Sequence, residues 1–210
     1  MDEEGLKFAE LLCARVCHDL AGPVGAVGTG AELLAEEDMG AGMASDALSL
    51  LASSAATAGS RLRFLRMALG SGGGAVAGRQ LHELIVNFLA VPLSGSEGVR
   101  VDWQDGQAGL WNSGAAKLLL NMVLLARDCL PRGGAVLVRT QADGQGMVVT
   151  AEGVGAVPGA SVAALTAAGV EVLDARGIQG YYAGQLAKRL GLVVMVAAEA
   201  DKVRFSTAAG

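Results

Sequence analysis

The stretch Cys13-Ala14-Arg15-Val16-Cys17-His18-Asp19-Leu20-Ala21-Gly22-Pro23-Val24 opens a run in which Cys13, Cys17, Leu20, Val24, Val27, Ala31 and Leu34 recur at intervals of four and three. That alternation is a heptad seam and predicts a long helix with one apolar stripe. Leu48, Leu51, Ala55, Ala58, Leu62, Leu65 and Leu69 repeat the pattern. Between the runs, Met39-Gly40-Ala41-Gly42 makes a short break, and helices joined by short connections are antiparallel neighbours. Residues 1–70 therefore read as a helical hairpin. Two helices cannot surround their own seam. Either two hairpins combine into a four-helix bundle or the hairpin packs on the rest of its own chain. The bundle is the more economical solution, so a homodimer is the expectation.

Outward from the hairpin, Gly70-Ser71-Gly72-Gly73-Gly74 marks a boundary, and 71–78 reads as a Gly-rich linker. Residues 79–210 then mix periods. Helices are predicted over Gln80–Val91, Ala115–Leu130 and Gln179–Leu190. Strands are predicted over Val99–Trp103, Ala135–Thr140, Met147–Ala151, Val193–Ala197 and Val203–Thr207, with a turn at Asp143-Gly144. Helices among hairpin-connected strands predict an α+β class, with an α/β sandwich behind the helical hairpin.

The 210 residues are 52% hydrophobic, 18% charged and 4% aromatic, with 31 glycines. A chain of this length buries a sizeable core without staples. Its formal net charge of −5 argues against nucleic acid as a partner. No unbroken apolar run of membrane-spanning length occurs, and Met1-Asp2-Glu3-Glu4 is acidic where a secretory signal is basic. Three cysteines form no disulfide framework, so a reducing cytoplasm is the expected location.

Two histidines are present. His82, in Leu81-His82-Glu83, has ordinary polar neighbours and reads as a surface or capping residue. His18 lies roughly 140° around the helix from the centre of the seam, at ~100° per residue. Its own face carries Leu11, Ala14, Arg15, Gly22, Gly25 and Thr29, mostly small side chains that leave the imidazole clear. Glycine inside a helix costs roughly 1 kcal/mol relative to alanine, yet Gly22, Gly25, Gly28 and Gly30 crowd this one. Close approach by another backbone or a partner protein is one reason to accept that cost; a helix that kinks or frays at Gly22-Pro23, leaving His18 merely solvated, is the other. Asp19 can accept the imidazole Nδ1 proton and leave Nε2 as nucleophile, given a suitable rotamer, or it can be a solvated acid.

Cys17-His18-Asp19-Leu20-Ala21-Gly22-Pro23 resembles the phosphoacceptor motif of sensor histidine kinases: His, an acidic residue, Leu, two variable positions and Pro. The wider stretch from Leu12 to Leu34 is more similar still to ChpT-type histidine phosphotransferases, which resemble the kinases in both domains but do not bind ATP. Leu119-Leu120-Asn121-Met122-Val123-Leu124-Leu125-Ala126 resembles the kinase ATP-site helix, but Leu125 stands where kinases carry a magnesium-binding Asn. Before Gly153-Val154-Gly155, Ala151 replaces the Asp that accepts the adenine amino group, and Glu152 is one residue out of register. The last glycine box survives only as Gly177, Gly180 and Gly184. An adenine buried without its acceptor costs ~1–3 kcal/mol, so the expectation is an ATPase shape without its chemistry and no cofactor.

The resemblance implies a cytoplasmic bacterial phosphorelay protein, two-component in type. His18 would take a phosphoryl group from a receiver-domain aspartate and pass it to another receiver, with Asp19 orienting the ring. Implied partners are a second copy and response-regulator receiver domains, including that of a hybrid histidine kinase, with Mg²⁺ on the receiver. Leu11, Ala14, Arg15, Gly22 and Gly25 are the expected receiver contacts; Arg132 and Gly133-Gly134 are further possible ones. Kinases carry Thr or Asn where Gly22 stands, to assist water attack, so slow hydrolysis of the phosphohistidine is expected. A receiver-binding scaffold without transfer and an atypical kinase are the alternatives. A metal site at Cys13, Cys17 and His18 is disfavoured, because His18 lies ~100° from Cys17 and no fourth ligand is visible. Cys129 reads as a core residue.

Overall fold

The computed structural model describes residues 2–36, 40–91, 98–104, 107–140 and 146–210. Met39 of the expected break and the Asp143-Gly144 turn lie outside them. Among the described residues the chain is a mixed α+β fold of six α-helices and two sheets.

Helix α1 spans Glu3–Leu34 and is capped by Asp2, whose side chain accepts from the Gly5 amide, with Glu3 and Glu4 favourably placed in its first turn. It runs unbroken through Pro23, which is buried, so the helix does not fray there. Helix α2 spans Ala41–Leu69, so Ala41 and Gly42 of the expected break already belong to it. The two helices pack along their length. Gly30 lets them close up: a Cβ there would sit 3.1 Å from the Leu51 Cβ and 3.2 Å from its backbone nitrogen.

The seam divides into two rows. Leu20, Val27 and Leu34 on α1, and Leu51, Ala58 and Leu65 on α2, are at least half-covered. Cys17, Val24 and Ala31 on α1, and Leu48, Ala55 and Leu62 on α2, are exposed. Each row repeats every seven residues. Apart from the row ends, where Cys13 is exposed and Leu69 half-buried, one hairpin covers one heptad position on each helix and leaves the other bare, with Val24 and Leu48 each 56% and Leu62 54% exposed.

Regular structure resumes earlier than a linker of 71–78 allows. Strand β1 (Val76–Ala77) pairs antiparallel with β3 (Leu110–Trp111), and α3 runs Gly78–Leu89. Strand β2 is Val99–Trp103, and α4 is Ser113–Asp128, capped by Asn112. Then follow β4 (Gly134–Thr140), β5 (Met147–Glu152), α5 (Ala160–Ala163) with a 3-10 turn at Ala164–Thr166, α6 (Ile178–Arg189), β6 (Leu192–Glu199) and β7 (Lys202–Ala209). The main sheet has the order β2-β4-β5-β7-β6; β2 and β4 are parallel and the other pairs antiparallel. The parallel pair needs a crossover, and α4 lies within it.

Helix α4 is buried continuously from Leu118 to Arg127 and lies against the sheet. The core around it does not stop at the hairpin. Phe64, Leu65 and Ala68 of α2 belong to the same cluster as Phe88, Leu125, Val149 and Phe205, and Phe64 stacks on Phe88 at 4.0 Å between ring centroids. Burying a phenylalanine contributes about 1.5–3 kcal/mol, so the base of the hairpin is fixed by the same force that holds the sheet to α4. Buried Asn121 adds a polar tie, donating to the Ala68 carbonyl at 3.0 Å while its own oxygen accepts from Gln179. Among the described residues no helix is long and apolar enough to cross a membrane.

Candidate functional site

Midway along α1, His18 stands out from the surface with its side chain 79% exposed. Its Nδ1 lies 3.4 Å from Asp19 Oδ1. Neighbouring helical residues do not normally face each other, and the rotamer that allows it here is fixed from the other side. Arg15, one turn earlier, donates from Nε to Asp19 Oδ2 at 3.1 Å. The same guanidinium reaches out of the hairpin and donates from Nη2 to both oxygens of Asp128, the last residue of α4, at 3.2 Å each. Ser161 on α5 donates to Asp128 Oδ2 at 3.5 Å. From α2, Arg61 donates to the Asp19 carbonyl at 2.6 Å.

The exposed imidazole is thus backed by largely covered charge. Arg15 is 11% and Asp19 16% exposed. Burial alone would lower the Arg15 pKa, but Asp128 and Asp19 more than offset it and hold the guanidinium above its ordinary value. Arg127 lies beneath the network, 6% exposed, with its guanidinium 4.5 Å over the Phe88 ring. Burial, and then the nearby Arg61 charge, lowers it to about 10.

Of the expected partner contacts, Ala14, Gly22 and Gly25 are exposed on the His18 side of α1, and Leu11 is half-buried. Nothing lies within 4 Å of a Cβ built at Gly22 or Gly25, so within one chain these glycines answer no internal packing need. Arg15 is placed differently from the expectation: it turns inward to two carboxylates. Asp128, Arg61 and Ser161 were missed by sequence reasoning. Only the four-residue step from Arg15 to Asp19 was readable as a helical pair, together with the anomaly of an acid at the C-terminus of α4, where helices favour cations.

His82 sits in the first half of α3, half-buried, with its ring 6.0 Å from that of Trp103. Cys13 and Cys17 are exposed; Cys129 is buried, and burial pushes its thiol up. Among the described residues no group of three or more His, Cys, Asp or Glu side chains is placed to hold a metal.

In the C-terminal unit, Leu125 and Ala151 are both wholly buried in the common core. Glu152 points to the other side of β5 and pairs with Lys202 at 2.6 Å. The glycines on α6 have a packing use. A Cβ at Gly180 would overlap the Ser161 carbonyl, and one at Gly184 the Leu165 carbonyl. The backbone of 161–165 therefore lies directly on α6, and these glycines are what admit it. Arg132 is exposed on the loop before β4, whereas Gly133 is buried and Gly134 half-buried, so of these three only the arginine side chain offers itself to a partner.

Residues 85–202 match the family described as the histidine phosphotransferase C-terminal domain. Over 205 residues the chain is 35% identical to the protein phosphotransferase ChpT of Brucella abortus (strain 2308), covering 96% of this chain and 95% of that protein. It is also similar to a solved bacterial phosphotransferase, with a TM-score of 0.82 and 31% identity over 99% of this chain and 98% of that one.

Proposed function

Because the chain belongs to the histidine phosphotransferase family, we propose that His18 is the residue through which it carries the phosphoryl group. The chain is a protein phosphotransferase of a phosphorelay. The observation that supports His18 is its pairing of wide exposure with a fixed acidic neighbour on Nδ1.

A receiver domain docks over the exposed face of α1 and brings its aspartyl phosphate to His18. The Nε2 lone pair attacks phosphorus, the bond from phosphorus to the aspartate oxygen breaks, and the receiver's carboxylate leaves with the electron pair. The Nδ1 proton stays on the ring, and Asp19 accepts its hydrogen bond, which strengthens as the ring becomes cationic. The return step onto a second receiver reverses these bonds. Catalysis is mainly positioning and charge stabilisation. The divalent cation of this chemistry belongs to the receiver's own site. Small residues at Ala14, Gly22 and Gly25 allow the partner's backbone to come close.

ATP has no part in this scheme. Leu125 and Ala151 place apolar groups where magnesium and adenine ligands would be required, and the backbone of 161–165 occupies the face of α6 that carries the remaining glycines. The protein acts as a homodimer, a reading supported by the uncovered heptad rows on both helices of the hairpin.

The test mixes the full-length chain with a receiver domain radiolabelled on its aspartate. Wild type gains acid-labile label, and His18→Ala gains none while keeping its size in solution. Label on His18→Ala would overturn the assignment, as would labelling of the wild type by ATP and Mg²⁺ alone.

A further inference from the structure

We propose that Asp128 is a positioning residue for phosphotransfer, acting through Arg15 and Asp19 to set the orientation of the His18 ring. The inference rests on His18 being the phosphoryl carrier and assigns the C-terminal unit a part in the transfer site.

The chain of contacts is continuous. Asp128 holds Nη2 of Arg15 with both oxygens, Nε of Arg15 holds Oδ2 of Asp19, and Oδ1 of Asp19 is left facing His18 Nδ1. An arginine on a helix surface reaching its fourth neighbour makes a weak and mobile pair. Arg15 escapes that rule because a second carboxylate, 113 residues further along the chain, fixes the other edge of its planar fork. With the fork fixed, Asp19 has one oxygen committed and one free, and the free one selects the ring tautomer. A proton on Nδ1 leaves the Nε2 lone pair outward, where it forms the new bond to phosphorus.

Asp128 breaks a local rule to be there. It ends α4, where the helix presents its negative pole and a carboxylate is unfavourable. Arg15, with a smaller contribution from Ser161, is the compensation. Local conflicts of this kind gather at functional sites.

The experiment uses the full-length chain and a radiolabelled receiver, with two readouts: the rate of transfer, and the nitrogen NMR spectrum of ring-labelled histidine in the absence of receiver. Only two histidines are present, so His82→Gln assigns the signals. In wild type, His18 carries its proton on Nδ1. Asp128→Asn slows transfer by about 10- to 100-fold and moves the ring toward a mixture of tautomers; Asp128→Glu recovers part of both. Arg15→Lys, which keeps the charge but loses the fork, gives the same pair of changes and carries the test if Asp128→Asn does not fold. A lowered melting temperature with wild-type transfer rate and an unmoved ring spectrum overturns the positioning role while His18→Ala still fails to label. Label on His18→Ala overturns the carrier assignment itself, and the positioning role with it.

Discussion

Arg15 and Asp128 meet through two N–H···O contacts of 3.2 Å, and the pair spans the junction between the helical hairpin and the C-terminal unit. Arg15 is largely covered there, so removing it strands Asp19 and Asp128 without their common cation. Arg15→Met is expected to lower the free energy of unfolding by about 1–3 kcal/mol. Denaturant titration checks this, and the loss should persist in high salt because covered pairs are poorly screened.

The glycines of α1 should divide by what lies opposite them. Gly22 and Gly25 face open space, so alanine at either should stabilise the free chain by roughly 0.5–1 kcal/mol through helix propensity. Gly30 faces the backbone of Leu51, and Gly30→Ala should destabilise by about 1–2 kcal/mol as the two helices are pushed apart. Thermal unfolding of the three variants gives the signs. The stabilised Gly22→Ala and Gly25→Ala variants should accept phosphate more slowly, since the added methyl holds a receiver away from His18.

A phosphohistidine beside Gly22 has no side chain at that position to steer water. Gly22→Asn should therefore shorten the lifetime of the labelled protein several-fold, and the chase of label into inorganic phosphate measures it. An unchanged lifetime would remove Gly22 as the reason for slow hydrolysis.

The exposed heptad rows predict where charge should break the proposed dimer. Leu48→Glu and Leu62→Glu each place a carboxylate in a row that is bare in one chain. Light scattering should give twice 21.1 kDa for wild type and 21.1 kDa for either variant. The thiols follow suit. In the variants Cys13 and Cys17 should react with Ellman's reagent on mixing, and in wild type more slowly. Cys129, buried and with its thiolate disfavoured, should wait for unfolding in both.

Much of this architecture was legible in the residues, for stated reasons. Helices α3, α4 and α6 and the five longer strands follow strong periodicity, and their ends agree with the expectation to within two residues, as at α3, which starts at Gly78 rather than Gln80. Strands β1 and β3 escaped because two residues such as Val76-Ala77 carry no period. The 3-10 turn and α5 escaped for the same reason. The heptads predicted the hairpin, but which row it covers depends on how α1 and α2 rotate against each other, and Gly30 at Leu51 settles that. At the site, His18 and Asp19 were visible in the motif. Asp128 was not, because its partnership with Arg15 exists only once α4 ends beside α1. The inward turn of Arg15 was hidden with it.

Gly180 and Gly184 let a neighbouring main chain rest directly on α6. A side chain at either position would have to evict that main chain. Writing Asn at 125 and Asp at 151 would insert amide and carboxylate into packed hydrocarbon with no opening in front of them. The expected product of that double substitution is an unstable protein rather than a nucleotide binder, because packing has closed the space that a ligand would need.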